Sequence, residues 1–351
     1  MTESKKYDII SIGKQEQLSK GVMTMKLELS QVKEITRGAA QVYEENGEII
    51  FRRFTDEETN TYRIYRDDVY RRKTYTTAGI RLAFVTDSKE MSFGYRLTEH
   101  PWRPFGYFDV TVDGVMVLHE GVEKGEGDGQ VCIPLGDGEK TVELWFPWSK
   151  GLNLSDITLD DGAFCKPKKR SRTMINYGDS ITHGYDSIHP SLSYACQLAN
   201  VLDADQTNKA IGGDRFFPEL LEVDNGIKEA DIITIAYGTN DWAIHTKATV
   251  ETRSRQFIKK LSQMYPTAKI FVISPIWRRN YYEVLPKFGD NCGGVHKLLT
   301  EICEDIPNAT VINGLYLTPH VLEFYTDGLH PNDLGMCVYA KNLADEIKKQ
   351  L

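Results

Sequence analysis

Ser180 sits in Tyr177-Gly178-Asp179-Ser180-Ile181, where a short apolar run, Met174 to Tyr177, breaks at a glycine and delivers a hydroxyl. Gly178 permits a sharp exit, and the turn that follows can aim backbone N–H groups at a developing negative charge. A serine at its ordinary pKa is a poor nucleophile and needs a base that titrates near neutrality, for which histidine is the natural side chain. His330, in Asp327-Gly328-Leu329-His330-Pro331, can fill that role. Asp327, three residues earlier on a tight loop, can reach the other imidazole nitrogen, fix its tautomer and stabilise the imidazolium. The expected chemistry is a two-step acyl transfer to water: the histidine protonates the leaving alcohol and then activates water, and no metal or organic cofactor is required.

These residues must be brought together by the elements that carry them. After residue 172 the pattern alternates strand and helix. Strands are expected at Thr173–Tyr177, Gln206–Ala210, Asp231–Tyr237, Lys269–Ser274 and Thr310–Asn313, and helices at Ser191–Leu202, Val250–Met264, Cys292–Glu304 and Leu334–Leu351. That alternation predicts a parallel sheet covered on both faces, with the site beyond the carboxyl ends of the strands. Ser180, Gly212-Gly213, Gly238-Thr239-Asn240-Asp241 and Asp327 to Pro331 all fall after strands. Singly, each has a structural explanation as a turn, a cap or a packed histidine. In this order, and together, they point to one site.

The first half reads as β. Short runs recur at Val22–Leu29, Glu48–Phe54, Ile80–Thr86, Met91–Leu97, Tyr107–Val112, Val115–Glu120, Gln130–Pro134 and Thr141–Phe146, with Asp113-Gly114 as a hairpin turn. They predict an antiparallel sandwich, jelly-roll-like. The aromatics Trp102, Phe105, Tyr107, Phe108, Trp145, Phe146 and Trp148 could line a sugar-stacking face, although core filling is the commoner use of such residues. The polar, proline-containing stretch 166–172 divides the chain into a sandwich, 1–165, and a catalytic unit, 173–351.

At 351 residues with 41% hydrophobic and 26% charged content, the chain is long enough for two domains with substantial cores. A formal net charge of −8 argues against a nucleic-acid partner, because phosphate backbones are held by clustered cations. The only apolar run near the N-terminus, Ile9 to Ile12, is too short for a signal peptide, and no later run could span a bilayer, so a cytoplasmic location and no membrane partner are expected. Cys132, Cys165, Cys196, Cys292, Cys303 and Cys337 lack metal-ligand spacing and are expected as free thiols.

Gly178-Asp179-Ser180, Asn208 to Gly213, Gly238-Thr239-Asn240-Asp241 and Asp327-x-x-His330-Pro331 resemble the four sequence blocks of the SGNH, or GDSL-type, hydrolases, in the family's order, with Ala210 where many members carry glycine. The resemblance implies a flavodoxin-like three-layer α/β/α domain. It implies Ser180 as nucleophile, Asp327 and His330 as its partners, and an oxyanion hole made by the N–H groups of Ser180 and Gly213 and the side-chain amide of Asn240. Asn240 need not titrate to matter, because losing one such donor typically costs about 10² to 10³ in rate. Trp242 and Trp277 are expected where side chains could wall the pocket. A sandwich ahead of such a domain resembles the arrangement in family 2 carbohydrate esterases, which implies an O-acetylated oligosaccharide or other small ester as substrate. Two alternatives stand beside it: an acylhydrolase of the same mechanism acting on lipids or thioesters, and a carbohydrate-binding protein with an inactive hydrolase half.

Overall fold

In the computed structural model residues 23–98 and 103–351 are described. The polar N-terminus with Ile9 to Ile12, Val22 at the head of the first expected strand, and Trp102 lie outside the described residues.

Five parallel strands form the sheet of the second half, in the order Ala204–Asn208, Arg172–Gly178, Ile232–Ala236, Lys269–Ile273, Ala309–Ile312. In chain order that is 2-1-3-4-5, the doubly wound flavodoxin-like arrangement, and the reversal of strand order falls at the strand that leads into Ser180. Ile232, Ile233 and Ile235 of the central strand are fully buried, as a strand covered on both faces requires. The helix Lys247–Met264 buries Val250, Ser254, Phe257, Ile258 and Leu261, a single stripe at helical spacing, and Thr246 caps it by accepting the N–H of Thr249. It packs against Gly293–Cys303, while Tyr194–Val201 packs against Asp333–Lys348.

The first half holds two six-stranded antiparallel sheets. One runs Gln41–Glu45, Glu48–Arg52, Gly151–Asp160, Glu90–Thr98, Gly127–Pro134, with Thr24–Lys26 also paired to Gly151–Asp160. The other runs Cys165–Pro167, Arg81–Thr86, Lys140–Trp145, Gly106–Val112, Val115–Val122, with Thr36–Arg37 also on Arg81–Thr86. Leu82, Phe84, Val110 and Leu144 from one sheet and Phe51, Met91, Phe93 and Leu154 from the other share one core, so the pair is a sandwich. Burying each Leu or Phe side chain there contributes about 1.5–3 kcal/mol.

Three helices interrupt the expected all-β half: Leu29–Ile35, Asp56–Tyr65 and Asp68–Lys73. Leu29, placed at the end of a strand by its apolar neighbours, opens the first of them. The second begins with a reciprocal capping box, in which Thr55 accepts the Glu58 N–H and the Glu58 carboxylate accepts the Thr55 N–H. The aromatics weighed for a sugar face are mostly core, the commoner use of such residues. Phe108, Trp145, Phe146 and Trp148 are buried, because they lie on or next to inward-facing strand positions, and only Phe105 and Tyr107 are partly exposed.

The two halves meet through buried polar and apolar contacts. Phe54 and Tyr62 belong to the core of the parallel-sheet half. Arg81 reaches from the sandwich to Asp205 on the edge parallel strand at 2.6 Å and to Glu143 at 3.1 Å. Within 166–172, Lys168 donates its N–H to the Ala83 carbonyl and Arg170 pairs with Glu143. All six cysteines are free. Among the described residues no helix is long and apolar enough to cross a membrane.

Candidate active site

The strand Arg172–Gly178 ends where the chain must turn hard. A Cβ on Gly178 would lie 2.2 Å from Thr182 Oγ1 and 3.1 Å from the Ala236 carbonyl oxygen, so only glycine fits. The turn of helix that follows, Ser180–His183, is capped by Asp179, whose Oδ1 accepts the Ile181 N–H at 3.0 Å. Burial pushes the Asp179 carboxyl up to about 7, against the pull of that hydrogen bond.

Ser180 Oγ lies 2.8 Å from His330 Nε2, although the two are 150 residues apart in the chain. His330 Nδ1 lies 2.8 Å from Asp327 Oδ2, and Asp327 Oδ1 accepts the N–H groups of Leu329 and His330 at 2.9 and 2.8 Å. Partial burial raises the Asp327 carboxyl, and the His330 N–H, the imidazole hydrogen bond, the imidazole charge and the Leu329 N–H outweigh it, holding it down at about 2. The carboxylate is therefore ionised at neutral pH, and it presents an acceptor to Nδ1 that leaves Nε2 free to take a proton from serine. The loop that carries it is pinned: Gly328 accepts the Arg279 N–H, and Thr326 donates to the His330 carbonyl.

Gly212 and Gly213 follow the strand Ala204–Asn208. The Gly212 N–H is spent on His183 Nδ1 at 3.1 Å, which leaves Gly213 as the neighbouring backbone donor of that loop. Gly213 has φ +83°, in the left-handed region. The Asn240 amide donates to the Asp214 carbonyl at 3.0 Å, and the second N–H of the same group has no partner among the described residues. Asp241 accepts the Phe216 N–H through Oδ1, while its Oδ2 is buried without a partner and burial pushes the carboxyl up to about 7.

Trp242 is fully buried, donates its indole N–H to the Asp290 carbonyl and lies under the Arg278 guanidinium, so it backs the site from the core. Trp277 is 9% exposed, stacked on His320 at 5.7 Å and edge-on to Tyr325. Of the other histidines near the motifs, His189 pairs with Asp333, and His245 is shifted down by burial and by four surrounding cations.

The contribution of residues 53–73 is absent from the expectations. Arg53, fully buried, donates to the carbonyls of Asn208 and Ala210 at 2.9 and 3.0 Å. Lys73 Nζ donates to the Gly212 carbonyl at 2.6 Å, and Tyr70 donates its hydroxyl proton to the Gly213 carbonyl at 3.0 Å. Tyr62 and Arg66 hold the Asp214 carboxylate at 2.9 and 3.2 Å. The loop that presents Gly213 is thus clamped from the first half of the chain. The Thr55-x-x-Glu58 capping box was the local signal for the helix that does this.

Asp186, Asp327 and His330 each offer a donor atom, all within 4.8 Å of one another, and the Arg103 guanidinium already lies on Asp186 at 2.5 and 3.0 Å.

A doubly wound sheet with a serine hydroxyl, an imidazole and a carboxylate in line beyond its strands is the arrangement that serine hydrolases use. Residues 177–337, a little under half of the chain, match the model of the GDSL-like lipase/acylhydrolase family, and the chain is a carboxylic ester hydrolase. No curated protein matches the chain. Among solved structures, the salicylyl-acyltransferase SsfX3 from a tetracycline biosynthetic pathway is 21% identical, with a TM-score of 0.75 over 90% of this chain and 94% of that one. A family two carbohydrate esterase from Cellvibrio japonicus is 15% identical, with a TM-score of 0.66 over 94% of this chain and 98% of its own. One from Clostridium thermocellum, solved with cellohexaose, is 18% identical, with a TM-score of 0.61 over 78% and 93%. These likenesses concern the fold, including the β-rich first half.

Proposed function

We propose that the chain removes O-acyl groups, O-acetyl groups in particular, from carbohydrates, using Ser180, His330 and Asp327 as a catalytic triad. The 2.8 Å contact between Ser180 Oγ and His330 Nε2 carries this reading, with Asp327 at the same distance from the opposite nitrogen. Ser180 Oγ attacks the ester carbonyl as His330 Nε2 takes its proton. The oxyanion is met by the N–H groups of Ser180 and Gly213 and the second N–H of Asn240. His330 then gives its proton to the departing sugar hydroxyl, and a water deprotonated by the same nitrogen releases acetate. Asp327, ionised at neutral pH, keeps the imidazole in the tautomer both steps need.

The carbohydrate part of the proposal draws on architecture. A sandwich joined to a GDSL-like domain is also the arrangement of the carbohydrate esterases from Cellvibrio japonicus and Clostridium thermocellum, and the latter is described with cellohexaose. A cytoplasmic location would confine the substrates to acetylated oligosaccharides small enough to be imported.

The test is deacetylation of acetylated manno-, xylo- and cello-oligosaccharides, read by mass, beside nitrophenyl esters of increasing chain length. Loss of acetyl groups from one sugar series and a sharp preference for acetate are expected. Activity that rises with chain length would replace the carbohydrate reading with a lipid or thioester acylhydrolase. Turnover that survives Ser180→Ala in a folded protein would remove the nucleophile assignment, and a wild-type protein that binds sugars without turnover would leave only a binding function.

A further inference from the structure

Behind the imidazole of His330 lies a second carboxylate. Asp186 Oδ2 is 3.6 Å from His330 Nδ1, beyond hydrogen-bond length but within close Coulombic range. The two carboxylates differ in exposure. The Asp327 side chain is 44% exposed and so faces water, whereas the Asp186 side chain is 5% exposed. Screening by solvent weakens the first and hardly touches the second. Asp186 also occupies an unusual backbone position, φ +68°, which a non-glycine residue adopts at a cost and which Asp and Asn tolerate best.

What holds Asp186 off the histidine is Arg103, from the loop ahead of the strand Gly106–Val112 in the sandwich. The same guanidinium lies 5.2 Å over the ring of Tyr185, which in turn stacks on His330 with centroids 5.6 Å apart. His330 is therefore faced by Ser180 at Nε2, by Asp327 and Asp186 at Nδ1, and by the Tyr185 ring, with Arg103 behind the last two. Burial raises the Tyr185 hydroxyl far above neutrality, so it stays uncharged.

We propose that Asp186 is a second positioning carboxylate for His330, held in reserve by Arg103, so that the imidazolium formed during acyl transfer is stabilised from two sides. The proposal rests on the assignment of His330 as the base. Charge alternates along Arg103, Asp186 and the protonated imidazole, and no proton need move to Asp186 for it to act. When Asp327 is lost, Asp186 is the one described carboxylate placed to accept the hydrogen bond of the Nδ1–H group.

The experiment is a double-mutant cycle on kcat/KM for 4-nitrophenyl acetate across pH, with Asp327→Asn, Asp186→Asn and the pair. An isolated triad aspartate replaced by asparagine costs about 10⁴ in kcat. Here Asp327→Asn is expected to cost only about 10- to 100-fold, Asp186→Asn about 10-fold with the acid limb of the profile moved to lower pH, and the pair far more than the product of the two. A loss of about 10⁴ in Asp327→Asn that Asp186→Asn does not deepen overturns the proposal, as does an Asp186→Asn profile that coincides with wild type. Should Asp186→Asn fail to fold, Arg103→Gln in the Asp327→Asn background decides: freeing Asp186 raises the residual rate if it serves His330, and an unchanged or lower rate counts against it. Ser180→Ala and His330→Asn separate the two levels. If either keeps turnover, the base assignment itself fails. If both abolish it while the Asp186 results go the wrong way, only the second carboxylate is lost.

Discussion

At the scale of single residues, the site separates groups that change charge from groups that only donate. In the proposed mechanism Asn240 is of the second kind: one N–H is committed to the Asp214 carbonyl, which fixes the amide before substrate arrives. Asn240→Ala is expected to lower kcat by about 10² to 10³ with a much smaller change in KM, because the lost bond is made mainly in the transition state; steady-state kinetics on a nitrophenyl ester check it. Asp179 and Asp241 bear on stability, since burial lifts both to about 7, above the unfolded value near 3.9. A carboxyl with a raised folded pKa binds its proton more tightly when folded. Its penalty is absent below about pH 4, grows as pH rises and is complete above about pH 7. The urea midpoint should therefore fall between about pH 4 and about pH 7, and fall less steeply in Asp241→Asn, where one of these groups no longer titrates. Asp327 has the opposite sign: its depressed value adds stability above about pH 4 that is lost toward pH 2. Ser180, Asp327 and His330 were legible as candidates because their residue types and spacing suit nucleophilic catalysis just beyond strands, whereas Gly213 and Asn240 were named through the resemblance to the SGNH hydrolases. Asp186 was not legible. Its place depends on a left-handed backbone and on an arginine 83 residues away, neither of which leaves a local trace.

At the scale of elements, the parallel strands and their helices could be read closely because strand, turn and amphipathic helix each impose their own period. The helices Asp56–Tyr65 and Asp68–Lys73 escaped because they fall among many short strand-like runs, and their role depends on contacts 139 to 152 residues away. They matter for the chemistry, since Tyr70 and Lys73 hold the carbonyls of Gly213 and Gly212, and Arg53, just ahead of them, holds those of Asn208 and Ala210. Tyr70 is only partly buried, so Tyr70→Phe should fold normally and lower kcat about 10-fold on every ester alike, through a loop that no longer presents the Gly213 N–H at the right angle. An effect confined to one substrate would mean that Tyr70 touches the substrate instead. Arg53 is different. Its guanidinium has no exposure and serves carbonyls from both halves of the chain, so Arg53→Met strands those acceptors and should cost about 3–5 kcal/mol, seen as a collapse of the thermal midpoint.

At the scale of the whole molecule, the same contacts bear on whether the sandwich behaves as an independent module. A chain of this length with two cores would ordinarily melt in two steps. Here Phe54 and Tyr62, from the first half, sit inside the core of the parallel sheet. Arg81 of the sandwich, with no side-chain exposure, is neutralised jointly by Glu143 of its own sheet and Asp205 of the edge parallel strand. Separating the halves would therefore open the apolar core of one and leave a buried guanidinium of the other short of its counter-charge, and removing one partner of a buried ion pair typically costs about 3–5 kcal/mol. Calorimetry should accordingly show one endotherm, with esterase activity lost at the same temperature. Asp205→Asn should move that single transition downward as a unit. Two resolved endotherms in wild type, or a variant whose sandwich melts at the original temperature while the catalytic half melts early, would show that the halves are only tethered and that the clamp on the loop 208–213 can open without unfolding.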